Sequence, residues 1–152
     1  MGFADYILNI VFSFIATIGF CVVFSIPKRQ MLFCGLLGVI SWIVYILLKD
    51  PVGVVAATFF STVCIVLLAR IFAVVRKCPV VLLLVPGIIP LAPGSGIYYT
   101  AYYFVTNDMS KAAEFGFLTV KIAFAIVLGI ILVIAIPVKK AKKKSGDGAQ
   151  KE

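Results

Sequence analysis

Five long apolar runs leave this chain few ways to fold. They cover residues 6–26, 31–48, 52–75, 79–106 and 116–138, with short polar or charged connectors between them. A helix needs about 20 apolar residues to cross a hydrocarbon core ~30 Å thick. Lipid offers the backbone no hydrogen bonds, so such runs satisfy their own amides as helices. Of the 152 residues, 63% are hydrophobic, and the mean hydropathy is +1.18. A soluble domain is about half apolar. The expected fold is an all-α integral membrane protein with five transmembrane helices over residues 1–138. A Lys-rich tail, 139–152, is expected to be disordered. The first run is too long for a signal-peptide core and reads as a retained span. Pro27, Pro51 and Pro137 stand at the run ends, where proline is tolerated.

Charge sets the orientation. Lys28 and Arg29 occupy the first connector and Arg76 and Lys77 the third. The tail carries Lys139, Lys140, Lys142, Lys143 and Lys144. In a five-span protein these segments share one side, which the positive-inside rule assigns to the cytoplasm. The N-terminus is then outside and the C-terminus inside a cytoplasmic (inner) membrane. The net charge of +8 is accounted for in this way and does not indicate nucleic-acid binding.

The composition also limits the chemistry. The chain has no His, and its four Cys show no C-x-x-C spacing. A zinc site and a Ser-His-Asp triad are therefore not expected, and neither is any cofactor or enzymatic activity. The six acidic residues, Asp5, Asp50, Asp108, Glu114, Asp147 and Glu152, all fall at run ends, in connectors or in the tail. A proton-coupled carrier usually keeps a titratable group within its pathway. Here the coupling carboxylate would come from a partner or from Asp108 and Glu114.

The fourth run contains its own interruption. Residues 84–100, "LVPGIIPLAPGSGIYYT", hold Pro86, Pro90 and Pro93 with Gly87, Gly94 and Gly96. Each proline removes an amide donor and clashes one turn back. The midpoint of 79–106 falls between Ala92 and Pro93. The flanks, 79–89 and 96–106, would each reach ~16 Å at ~1.5 Å per residue, half of the ~30 Å core. Two half-helices meeting at mid-membrane fit that length. The second would begin near Gly94-Ser95-Gly96 with Ser95 as its cap, presenting a positive dipole end to a small anion. Discontinuous helices of this kind build transporter sites. A plain kink or a re-entrant loop are the other geometries.

Further polar positions are candidates for a pathway or for helix packing. In the first run Asp5, Asn9, Ser13, Thr17, Cys21 and Ser25 recur every fourth residue, and Asn9, Ser13 and Thr17 stay on one face. Small polar groups in such a stripe serve helix packing. Thr58, Ser61 and Thr62 share a face of the third run, with Arg70 two turns on. Arg70 and Lys121 lie near helix ends and are expected to snorkel. Tyr98 falls closer to mid-membrane than Tyr102 and Tyr103, which suit an aromatic belt.

"GFCVVFSIPKR", "CGLLGVISW", the Arg-bearing end of the third run and "PGIIPLAPGSGIYYTAY" followed by Asn107-Asp108 together resemble the threonine/serine exporter family. The likeness is to its small, separately encoded subunit, the counterpart of the second half of the fused exporters. It covers nearly all of residues 5–138. The resemblance implies export of small hydrophilic amino acids, driven by an ion gradient. It also implies a larger partner subunit with a cytosolic N-terminal region. The motif positions carried over are Pro86, Gly87, Pro90, Pro93, Gly94, Ser95 and Tyr98. A five-span unit with its N-terminus outside suits one half of an inverted-repeat transporter. A non-transporting membrane scaffold and a homo-oligomeric channel are the alternatives.

Overall fold

The computed structural model describes residues 3–136, with side chains from Ile7 onward. The side chain of Asp5, the proline expected to close the last run at 137 and the tail 139–152 lie outside the described residues. Every regular element described is helical: α1 (Phe3–Val23), α2 (Lys28–Val52), α3 (Val54–Arg76), α4 (Val80–Ile88), α5 (Gly94–Val105) and α6 (Met109–Ala135). A 3-10 turn, Ile89–Leu91, ends α4. Helices α2, α3 and α6 are long and apolar enough to cross a membrane. The α4 and α5 segments together make a fourth candidate, bent by 48° at the break. The apolar part of α1, Ile7–Val23, is shorter than these.

Several helix ends differ from the sequence reading, because caps set them. Lys28 and Arg29 form the first turn of α2 and are not a connector. At its other end α2 runs on through Lys49, Asp50 and Pro51, since a proline in the last turn removes only one bond. The Gly53 amide then donates to the Lys49 carbonyl (3.1 Å). With φ of 83°, Gly53 alone turns the chain from α2 into α3, a conformation open to glycine at little cost. Helix α6 begins seven residues before the expected 116, because the Asp108 carboxylate accepts from the Lys111 amide (3.2 Å) and caps it.

The core lies where α1, α3 and α4 meet α2. Cys21, Cys34, Leu37, Ile65, Val66 and Leu83 are fully or almost fully buried there. The stripe on α1 packs as its spacing suggests. Ser13 Oγ donates to the Gly38 carbonyl (3.3 Å), and Thr17 lies so close to Gly38 that a β-carbon there would not fit. Small groups thereby let the α1 and α2 backbones approach.

Freed backbone groups in the broken span find partners on α2. Pro86 sits inside α4 without interrupting it. It cannot donate to the Leu82 carbonyl, one turn back. That carbonyl instead accepts from the Cys34 thiol (3.5 Å). The Gly87 carbonyl accepts from the Ser41 hydroxyl (3.3 Å), which also reaches the Gly38 carbonyl (2.8 Å). The break itself falls at Pro90 and Pro93. Ala92, just before Pro93, is extended at ψ 134°, as the residue before a proline prefers.

Candidate solute site at the broken span

The break opens onto a cavity of about 250 Å³. Its floor is the broken segment itself: Pro90, Leu91, Ala92, Pro93, Ser95 and Gly96. Trp42 and Tyr45 come from α2, Val54 and Thr58 from α3, and Tyr99 from α5. Phe115, Leu118, Thr119 and Ile122 of α6 complete the lining.

Local chemistry positions these groups. Pro93 is the N-cap of α5, and no side chain caps it. The Ser95 hydroxyl therefore does not serve as the cap expected from the sequence. Proline at the N-cap leaves no side-chain acceptor, and Ser95 has moved inside the first turn. The Gly94 amide donates to the Ala92 carbonyl (2.8 Å), and the first helical bond runs from Ile97 to the Pro93 carbonyl (3.1 Å). Helix geometry leaves the amides of Ser95 and Gly96 without intrahelical partners. They form the positive end of the α5 dipole beside the cavity.

Among the described residues, no charged side chain lines the cavity. Aromatic rings flank it instead. Trp42 and Tyr45 stack with centroids 5.2 Å apart, and Tyr99 leans on Phe115 at 5.3 Å. The Trp42 ring lines the space, while its indole N–H is buried without a partner. Thr58 and Thr119 turn their hydroxyls to their own helices, donating to the Val54 (2.8 Å) and Phe115 (2.7 Å) carbonyls. A carboxylate is suited to the free amides at a helix start. An ammonium is suited to aromatic faces. The lining therefore matches a small zwitterion without any fixed charge of its own.

Of the residues singled out from sequence, Pro90, Pro93, Ser95, Gly96 and Thr58 meet at this cavity. The others do not. Pro86 and Gly87 are buried against α2 and α3. Gly94 is exposed, with open space around it. Tyr98 is 63% exposed and stacks on Tyr102, and the α5 tyrosine at the cavity is Tyr99. Ser13 and Thr17 belong to the α1–α2 seam, and Asn9 lies half-buried one turn before Ser13 on α1. Thr62 packs on Gly129 of α6. Arg70 donates from Nη1 to the carbonyls of Val133 and Ile136 (2.8 Å to the latter), at the end of α6. Asp108 is the α6 cap.

Trp42, Tyr45, Tyr99, Phe115 and Thr119 were not legible as site residues. Trp42 had a signal. It is the single Trp of the chain and sits in the middle of an apolar run, away from the interface where its N–H would find water.

The family model described as threonine/serine exporter, ThrE, matches residues 9–136. No curated protein and no solved structure matches the chain. The matched segment runs from the second turn of α1 to the end of α6 and contains the whole cavity. With its apolar helices and this match, the chain is a multi-pass membrane protein belonging to the threonine/serine exporter family.

Proposed function

We propose that the chain is one half of a secondary-active exporter of small hydrophilic amino acids of the threonine/serine kind, or of similar small carboxylates. It works with a larger membrane subunit in the cytoplasmic membrane. All five runs cross, α1 included, with the N-terminus outside and the C-terminus inside. The cavity at the break of the fourth span carries this reading. At about 250 Å³ it lies just below the ~300–1,000 Å³ of pockets that take drug-sized ligands, so it suits a small metabolite. Free amides at the start of α5 and aromatic faces in the lining fit the two ends of an amino acid. Since the described lining holds no carboxylate, the coupling group comes from the partner or from Asp108, the α6 cap, and Glu114 in the second turn of α6.

The test is efflux of labelled threonine and serine from cells carrying this chain, its adjacent-gene membrane protein, both or neither. Efflux is expected only with both, and the two proteins should co-purify. Efflux by the purified chain alone in liposomes would replace the half-transporter with a homo-oligomeric channel. Co-purification without efflux of any small amino acid would make the chain a scaffold.

A further inference from the structure

The described charges are sorted by end. The C-termini of α1 and α3 and the N-termini of α2 and α4 share one end of the bundle, where Arg76 Nη2 donates to the Arg29 carbonyl (3.3 Å). Lys28, Arg29, Arg76 and Lys77 all lie there. Asp50 lies at the opposite end of α2. Asp108 and Glu114 lie at the start of α6, whose far end is the one bonded by Arg70. Among the described residues, therefore, no carboxylate faces the four cations, and the one ion pair is Lys111 with Asp108 (3.0 Å).

Three of these cations frame a cleft of about 200 Å³ lined by Arg29, Gln30, Val75, Arg76 and Lys77. The Arg76 guanidinium is held in place. It lies 4.2 Å above the Phe33 ring and is tied to the Arg29 carbonyl. The α2 N-terminus adjoins the cleft, with no side-chain cap and no acidic residue in its first turn. Its dipole adds to the positive field. Like charges fixed around a cleft without a counter-ion create a potential that an anion relieves. Val75, 69% exposed, borders the same cleft and continues onto the apolar outer face of α3.

We propose that the cleft between Arg29, Arg76 and Lys77 binds the phosphate headgroup of an anionic phospholipid, with an acyl chain along the outer face of α3. Basic pockets between spans at a membrane face take acidic headgroups in this way. Orienting helices requires only that cations lie at one end. It does not require them to frame a cleft with one guanidinium stacked in position.

The full chain, purified in neutral detergent, is titrated with phosphatidylglycerol, phosphatidylcholine or inorganic phosphate while thermal unfolding is followed. Phosphatidylglycerol should raise the melting temperature, and phosphatidylcholine should not. Arg29→Gln and Lys77→Asn should each weaken that lipid's apparent affinity about fivefold, the contribution of one basic side chain at an anionic surface. Asn accepts the left-handed φ of 52° found at Lys77, so this variant keeps the backbone. It decides alone if Arg29→Gln does not accumulate. Lys49→Gln, at the other end of α2, should bind as the parent does. Equal stabilisation by both lipids, an equal loss in Lys49→Gln, or full reproduction of the effect by inorganic phosphate would overturn a lipid site.

Discussion

A β-carbon on Gly96 would sit 2.2 Å from Thr119 Oγ1, a hydroxyl already donating to the Phe115 carbonyl (2.7 Å). Nothing lies within 4 Å of the same atom on Gly94. The two glycines of "APGSG" look alike in sequence and differ entirely in space. Gly96→Val should destabilise the protein by about 1–3 kcal/mol through overpacking of α5 on α6. Gly94→Val should stay within ~0.5 kcal/mol, as exposed positions do. Thermal unfolding in detergent measures both. Adding Thr119→Ala should recover part of the Gly96→Val loss, since only the Thr119 Cβ, 3.4 Å away, would then remain in contact. No recovery would mean that Gly96 is constrained by something other than this contact. Ser95→Ala removes a hydroxyl that caps nothing, so any effect should appear in efflux and leave stability unchanged. Tyr98, singled out by its depth, is 63% exposed, and its neighbour Tyr99 lines the cavity. A tyrosine's depth along a span can be counted from sequence, but its azimuth depends on how α5 rotates against α6.

The existence of the elements was legible because apolar run length and proline chemistry act locally. The break at Pro90 and Pro93 follows from missing amides alone, wherever the helix packs. Helix ends were less legible, because partners distant in sequence decide them. Arg70 is the clearest case. Expected to snorkel, it instead ties the last carbonyls of α6, 63 and 66 residues away. A cation at a helix C-terminus also meets the favourable end of its dipole. Arg70→Met should cost about 1.5–3 kcal/mol, the value of hydrogen bonds from a charged group. It should also speed amide exchange in the last turn of α6. Arg70→Lys should recover only part, since lysine keeps the charge and loses the planar fork. At the other end of α6, the Lys111 contact holds the Asp108 carboxyl below its ordinary value of 3.8. A lowered folded value means that this stabilisation is present above pH 3.8 and is lost as the pH falls below it. Amide exchange at the first turn of α6 should rise in that acidic range. Asp108→Ala should remove the pH dependence, whereas Asp108→Asn should keep the cap and lose only the charge.

At the scale of the molecule, the two ends and the two halves of the broken span behave differently. Orientation is tested with single cysteines in a chain whose own four are replaced, since Cys78 adjoins Lys77 and would otherwise react. Cysteine in place of Lys28 or Lys77 should label only after the membrane is permeabilised, and cysteine in place of Lys49 should label from outside. The reverse pattern would invert the topology. The α4 half is locked to α2 and α3 by buried side chains and by the Ser41 and Cys34 bonds. The α5 half has no buried residue and rests chiefly on α6. The break and α5 line the cavity and α4 does not, so a change in its shape is easiest by moving the less firmly held α5 about the break. Linking Thr58→Cys to Ser95→Cys across the cavity with a bifunctional thiol reagent should then stop efflux by the assembled exporter. Linking Thr100→Cys to Gly116→Cys, neighbours within the α5–α6 hairpin, should leave efflux intact. If the first link forms and efflux persists, solute passes elsewhere, and the cavity is a packing defect of the kink. If both links stop efflux equally, the hairpin itself must flex and α5 does not move as a unit.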